Sequence, residues 1–351
     1  MADLFLQLRI IKVIKEAPGT LTYQLENTTA QPVVYQPGQF LTFVIQLHGT
    51  EYRRSYSFSS TPGIDPYMSV TVREKENGEI SRHILRTWKA GDIITTLLPS
   101  GRFTLDNIAR QPRDIFLFAA GSGITPLFSL LKHLLYREPT AQIILVYSST
   151  DIARTIFYEQ IQQLQEKFGA QLTCLYYFSN EPLPSNPYRR LSNILLEPMV
   201  RAQMQHNPAD AQFFLCGPPD YMRMITLTLI FMGFTQEQLH KENFVVNTDA
   251  RIAKTPVPKD STPRQVRIHF HQQEHLLHIP GNQNILSSAQ QQGLALPYSC
   301  KGGVCGSCTA KCTEGKVWMA VNEVLTDKEI TQGFILTCVG YVTSEQATIE
   351  L

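Results

Sequence analysis

The sequence predicts a multidomain chain: an antiparallel β-barrel, then an α/β domain with a parallel sheet, then a small α+β domain. Three observations carry this. Residues 1–110 hold alternating apolar and polar positions punctuated by turn residues. From residue 111, apolar runs of strand length alternate with helical stretches. Beyond Asn247, a polar stretch with Pro256, Pro258 and Pro263 sets off a last segment with its own strand patterns. A chain of 351 residues accommodates two or three domains, and an apolar content of 43% lets each bury a core.

In the first segment, Leu4 to Ile14 sets Leu6, Leu8 and Ile10 against Gln7 and Arg9. Phe40 to Leu47 and Met68 to Val72 are further strands, and Pro37-Gly38 and Pro62-Gly63 mark turns. Strands that alternate in this way line one core as a barrel. One helix is expected among them, Ser81 to Trp88, with Ser81 as its N-cap. In the second segment, Ile115 to Ala119 is a buried-strand run followed by a glycine-rich turn and a helix reaching Tyr136. Strands at Ile143 to Tyr147, Leu172 to Phe178 and Gln212 to Leu215 alternate with helices at Phe157 to Phe168 and Pro218 to Met232. That alternation implies a parallel sheet with helices on both faces. In the third, strands at Val266 to Phe270 and Leu276 to Ile279 precede a helix at Ile285 to Gln292, stopped by Gly293. The expected division is 1–110, 111–246, a linker over 247–264, and 265–351.

A net charge of +1 offers no electrostatic footprint for nucleic acid. The uncharged run from Ile115 to Leu131 approaches the length of a membrane span, but Gly121, Ser122, Gly123 and Pro126 break it. Met1 to Lys15 reads as a strand and not as a secretory leader. A soluble, cytoplasmic protein in a reducing compartment is expected, with no membrane span.

The cysteines are the sharpest signal. Cys300, Cys305 and Cys308 follow C-x4-C-x2-C, and Cys338 lies further on. This is the spacing of a plant-type [2Fe–2S] cluster. Gly302, Gly303 and Gly306 let the loop turn tightly and bring N–H groups to the sulfurs. Zinc sites usually pair two C-x2-C knuckles, and one is present. Cys174 and Cys312 are expected to be structural or free thiols.

Two weaker motifs stand in the second segment. Gly121-Ser122-Gly123-Ile124-Thr125-Pro126 links a strand to a helix, a context that suits a pyrophosphate, although Pro126 replaces the third glycine of the dinucleotide fingerprint. Taken alone, such a turn is more often only a turn. Cys216-Gly217-Pro218-Pro219 follows a strand end, where open α/β sheets bind ligands, yet a proline there is also ordinary helix capping.

Together the motifs resemble the ferredoxin–NAD(P)⁺ reductase superfamily. Arg54-Ser55-Tyr56-Ser57 matches its flavin motif, preceded by Pro37-Gly38-Gln39-Phe40; Gly121 to Pro126 matches its nucleotide-pyrophosphate loop; Cys216-Gly217-Pro218 and Glu242-Asn243-Phe244 match its C-G-P and terminal elements. With the cysteine segment added, the chain resembles reductase components of oxygenases of the phenylacetyl-CoA type. The resemblance implies an FAD barrel, an NAD(P)H domain and a β-grasp ferredoxin domain. It implies that Arg54 binds the flavin pyrophosphate, that Tyr56 packs on the isoalloxazine, and that Ser57 lies near flavin N5. Ser81 is a second phosphate donor. Gly121, Gly123, Thr125, Pro126, Gly217 and Pro218 hold the dinucleotide, with Cys216 and Glu242 near the nicotinamide. Phe244 either covers the flavin or is plain sheet core.

A nicotinamide gives up two electrons as one hydride, whereas a [2Fe–2S] cluster takes one at a time, so a flavin belongs between them. The hydride step then needs no side chain with a tuned pKa. The coenzyme is undecided: Ser148, Ser149, Thr150 and Arg154 lean to NADPH, while Asp151 argues for NADH. Arg189 and Arg190 are further candidates near the nucleotide. The expected partner is an oxygenase or hydroxylase component. A stand-alone reductase of a soluble carrier or haem protein, and a flavin and iron–sulfur redox sensor, are the alternatives.

Overall fold

A computed structural model describes residues 5–29, 31–105, 111–180, 187, 190–244 and 257–351. It divides into two compact units, Leu6–Glu242 on the one hand and Asn243–Leu351 with the N-terminal residues up to Phe5 on the other.

The first unit opens with a six-stranded sheet: β1 (Phe5–Ala17), β2 (Thr20–Asn27), β3 (Phe40–Leu47), β4 (Thr50–Ser57), β5 (Met68–Arg73) and β6 (Ile93–Leu97). The order is β4-β3-β6-β1-β2-β5. An antiparallel bridge between Phe58 and Val70 joins the outer strands, so the sheet closes as a barrel. Leu8, Ile10, Tyr23, Leu41, Phe43 and Val72 alternate inward and fill it. Helix α1 (Glu79–Thr87) starts two residues earlier than expected. Its N-cap is Gly78, which corrects the assignment of Ser81 to that role. The Ser81 hydroxyl instead accepts from Lys75 N at 3.1 Å and reaches Gly78 O, bracing the turn from inside the first helical turn.

The same unit continues into a five-stranded parallel sheet: β7 (Arg113–Ala120), β8 (Ala141–Ser149), β9 (Leu172–Phe178), β10 (Gln212–Cys216) and β11 (Leu239–Glu242), in the order β11-β10-β7-β8-β9. Helices α2 (Ile124–Arg137) and α3 (Tyr158–Lys167) pack one face; α4 (Asn193–Gln203) and α5 (Pro219–Phe231) pack the other. Every residue of β7 before Ala120 is buried, as a central strand requires. The strand order reverses between β7 and β10, and ligands of such sheets bind at the carboxyl ends there. Helix α4 escaped the sequence reading because Pro198 interrupts its pattern. The barrel is tied to α2 by Ser129 Oγ to Ser60 O (2.6 Å), Thr61 Oγ1 to Ser129 O (2.8 Å) and the Lys132–Asp65 ion pair.

The second unit holds β12 (Pro263–Phe270), β13 (Gln273–Pro280), α6 (Ile285–Gln291), β14 (Thr309–Glu314), β15 (Val317–Met319), α7 (Asp327–Thr331), β16 (Phe334–Leu336), β17 (Gly340–Val342) and β18 (Gln346–Glu350). Its main sheet runs β13-β12-β18-β14-β16, with β12 and β18 parallel. Helix α6 buries Ile285, Leu286 and Ala289 against it, and Gly293 at φ +82° follows as expected. β12 begins at Pro263, inside the stretch expected as linker, and residues 247–256 of that stretch lie outside the described residues. Among the described residues no helix is long and apolar enough to cross a membrane.

Candidate functional site

At the end of β7 the chain makes one turn of 3₁₀-helix, Gly121–Gly123, before α2. The turn lies so close to neighbouring groups that side chains are excluded. A Cβ on Gly123 would stand 2.0 Å from Cys216 O, and one on Gly217 would stand 2.9 Å from Ala120 Cβ. Gly121, at φ +54°, would put a Cβ 2.9 Å from Arg73 Nη1. The three glycines thus form a cradle at the strand ends, with a guanidinium beside it. Tyr147 Oη donates to Gly121 O at 3.1 Å, and Tyr221 Oη donates to Ala119 O at 3.2 Å. Thr125 is buried, and its hydroxyl donates back to Ser122 O at 3.1 Å, so it buttresses the turn. Pro126 sits in the first turn of α2, where no amide hydrogen is needed. Pro218 is the N-cap of α5 and Pro219 its first residue.

Next to the cradle, three predicted residues from distant parts of the chain meet. Cys216 lies in register with Ala119 on one side and Glu242 on the other. Ser57, the last residue of β4, donates to Glu242 Oε2 at 3.1 Å. Burial pushes the Glu242 carboxyl up to about 8, against the opposing effect of the Ser57 hydrogen bond. Burial, with Glu242 alongside, also pushes the Cys216 thiol up. The carboxyl is thereby biased toward its protonated form, a tuned group that the sequence did not lead one to expect. Phe244 follows the end of β11 and is 44% exposed, so it is not sheet core.

Arg54 and Tyr56 are two apart on β4 and share one face of the strand. The Tyr56 ring packs 5.6 Å from Phe43, and burial pushes its hydroxyl up to about 12, with Arg54 opposing. Arg54 Nη1 donates to Arg53 O at 2.8 Å, and its guanidinium stands 5.8 Å from the Tyr52 ring centre. Arg154 is ion-paired with Asp151, and its side chain is 51% exposed. Arg190 is exposed, and Arg189 lies outside the described residues. Arg73 and Tyr147 were missed. Arg73 stands one residue past the strand read as Met68 to Val72, and Tyr147 read only as a buried strand residue.

The cysteine loop gathers four sulfurs. Cys300 Sγ lies within hydrogen-bonding reach of Cys305 and Cys338, and Cys338 within reach of Cys308. These sulfur neighbours hold the Cys300 thiol well below its usual range. Gly302 N donates to Cys300 Sγ at 3.3 Å. Gly303 and Gly306 have φ of +74° and +73°, and a Cβ on Gly303 would meet Val321 O at 2.7 Å. Only glycine lets this loop press so close to its neighbour. Among the described residues no three His, Cys, Asp or Glu side chains gather around a single metal ion. Four soft thiolates brought together from one glycine-containing loop and the turn between β16 and β17 fit a two-iron cluster. All seven cysteines are free. Burial raises the Cys174 thiol to about 12, in keeping with a structural role.

Comparison with known proteins agrees with this geometry. Residues 7–105 match the oxidoreductase FAD-binding domain, 117–226 the oxidoreductase NAD-binding domain, and 268–343 the 2Fe-2S iron-sulfur cluster binding domain. The chain is 30% identical over 340 residues to one component of the 1,2-phenylacetyl-CoA epoxidase of Escherichia coli (strain K12), covering 95% of this chain and 94% of that protein. The chain belongs to the ferredoxin–NAD(P)⁺ reductase superfamily. This reductase is also 29% identical to the ferredoxin reductase component of 3-ketosteroid-9-alpha-monooxygenase from Rhodococcus rhodochrous, over 98% of the chain and 96% of the relative. Its fold is similar to that of phthalate dioxygenase reductase, with a TM-score of 0.60 at 24% identity over 99% and 98% of the two chains. It is an oxidoreductase with FAD, NAD and [2Fe–2S] domains in that order.

Proposed function

We propose that this reductase takes hydride from NAD(P)H and delivers single electrons through FAD and its [2Fe–2S] cluster to an oxygenase or hydroxylase component. The observation that carries this is the meeting of Ser57, Cys216 and Glu242 beside a glycine cradle, in a chain that also gathers four free sulfurs. The bound flavin supplies conversion of a hydride into single electrons, and the cluster carries those electrons one at a time.

The protein's own residues bind and orient. Arg54 offers a forked donor to the flavin pyrophosphate, assisted by the N-terminal turn of α1 that Ser81 braces. Tyr56 would stack on the flavin ring, and Ser57 would lie on the side of its N5. Gly121, Gly123, Gly217 and Pro218 admit the dinucleotide close to the backbone; Thr125 and Pro126 hold the turn, and Arg73 faces its phosphates. Arg154 reaches the adenosine end. Cys216 and Glu242 would confine the nicotinamide beside the flavin, with the raised pKa of Glu242 favouring a neutral side chain there. Cys300, Cys305, Cys308 and Cys338 ligate the cluster. Cysteines without disulfide partners, four of them assigned to a cluster, suit a reducing, cytoplasmic setting.

The test is Cys305→Ser in the flavin-replete protein. Cytochrome c reduction should collapse while ferricyanide reduction survives. Equal loss of both would contradict the order of the relay.

A further inference from the structure

We propose that Lys132 and Asp65 are positioning residues for hydride transfer: their buried ion pair keeps the strand that carries Arg54, Tyr56 and Ser57 in register with the glycine cradle. The proposal rests on the reductase reading above and concerns how the two halves of that site stay aligned.

The two halves stand on separate elements. β4 ends at Ser57, and the chain runs on through Phe58 to Asp65. Helix α2 begins at Ile124, directly after the cradle. Thr125, Ser129 and Lys132 recur along it at i, i+4 and i+7, so they share one face, and all three are buried. That face meets the loop after β4. Ser129 Oγ donates to Ser60 O at 2.6 Å, Thr61 Oγ1 donates to Ser129 O at 2.8 Å, and Lys132 pairs with Asp65. The loop is braced from the barrel side as well. Ser60 Oγ accepts from Ser69 N at 2.7 Å and lies 2.7 Å from Tyr35 Oη, while Asp65 Oδ2 accepts from Thr61 N at 2.6 Å. The chain from Ser57 to Thr61 spans at most about 14 Å, and the turns from Gly123 to Ser129 span about 9 Å. A shift at this seam is therefore passed to Ser57 and to the cradle over a short distance.

Lys132 Nζ lies 4.5 Å from the Phe128 ring centre. Burial holds its ammonium below the usual range, with Asp65 and Glu16 opposing. Glu16, on β1, also accepts from Gln160 Nε2 of α3 at 2.9 Å. Both carboxylates thus come from the barrel, and the cation comes from the nucleotide half. An apolar seam would hold the halves together and let them slide, because burial has no direction. A buried ion pair adds little net stability over an apolar pair of similar volume, but it accepts one alignment. Stability and alignment are therefore separable at this seam.

The test is the double variant Asp65→Asn/Lys132→Met in the flavin- and cluster-loaded protein. It removes both charges, keeps an acceptor for Thr61 N, and leaves an apolar stem against Phe128. Flavin content and the urea midpoint should stay near wild type. Bleaching of the flavin by saturating NADH in stopped flow should slow by about tenfold, the effect of a misplacement well under 1 Å. The long-wavelength charge-transfer absorbance of NAD⁺ with the reduced flavin, which needs no turnover, should fall with it. Wild-type bleaching and absorbance in the double variant would overturn the proposal. So would a slower rate matched by loss of flavin or of the urea midpoint, since the pair would then be structural only. A wild type whose flavin is bleached by neither NADH nor NADPH would overturn the reductase reading as well.

Discussion

Replacing Gly123 with alanine should damage hydride transfer far more than it damages folding. Gly123 has φ −63° and ψ −9°, a conformation alanine adopts freely, so no backbone strain is introduced. The only obstacle is space. The new Cβ would lie 2.0 Å from Cys216 O and 2.9 Å from Gly217 N, both backbone atoms that no rotamer can remove. Ordinary contact begins at 3.4 Å, so the turn and the end of β10 must separate by 3.4 − 2.0 = 1.4 Å. Overpacking of this kind costs about 1–3 kcal/mol of stability. The catalytic consequence is larger, because Cys216 and its register partner Glu242 move with the strand end. A misplacement of about 1 Å costs on the order of 100-fold in a step governed by positioning. Stopped-flow bleaching of the flavin by NADH should slow by about that factor, with flavin content unchanged because Arg54 and Tyr56 lie on β4. Wild-type bleaching in the variant would show that the close approach of turn and strand has no part in positioning the coenzyme.

Arg54→Ala should lower flavin retention, read from absorbance after gel filtration; undiminished flavin would remove Arg54 from the pyrophosphate. Glu242 has its folded pKa raised from 4.5 to about 8, so its contribution to stability is complete below 4.5 and is lost as pH rises through about 8. The flavin-free protein should accordingly weaken across that window by at most about 1.4 kcal/mol per pH unit, and Glu242→Gln should flatten the decline in urea midpoints. An unchanged slope would contradict the buried proton. Arg113→Ala strands Glu138, whose Oε2 accepts from Arg113 Nη2 at 2.5 Å with both side chains nearly fully buried. It should cost about 3–5 kcal/mol in urea unfolding, and an additional Glu138→Leu should recover much of that loss.

Much of the fold was legible because its elements are punctuated by local chemistry. Phe40–Leu47 and Leu172–Phe178 match their expected bounds, since a buried strand announces itself by its own run of apolar residues. Helix α4 did not, because Pro198 broke the pattern while packing of Leu196 and Val200 held the helix. Ser81 shows the converse error: a good capping residue followed by a helical pattern, displaced because Gly78 supports the turn and the serine hydroxyl is drawn inward.

The proposed cluster ligands were the most legible part of the candidate site. They are four residues of one type at a set spacing on a glycine loop, so their chemistry is encoded almost locally. The sequence by itself determined the three domain types and their order, and it singled out the four cysteines and Ser57, Cys216 and Glu242 as candidates. Tertiary structure alone decided what those last three are to one another. Ser57 and Glu242 are 185 positions apart, and their hydrogen bond exists only because β4 ends where β11 ends. The raised pKa of Glu242 comes from burial, a property no residue carries in its own sequence neighbourhood. Arg154 makes the same point. Its charge was visible in the chain, but whether Asp151 already occupies it depends on the shape of the loop that brings the two side chains together.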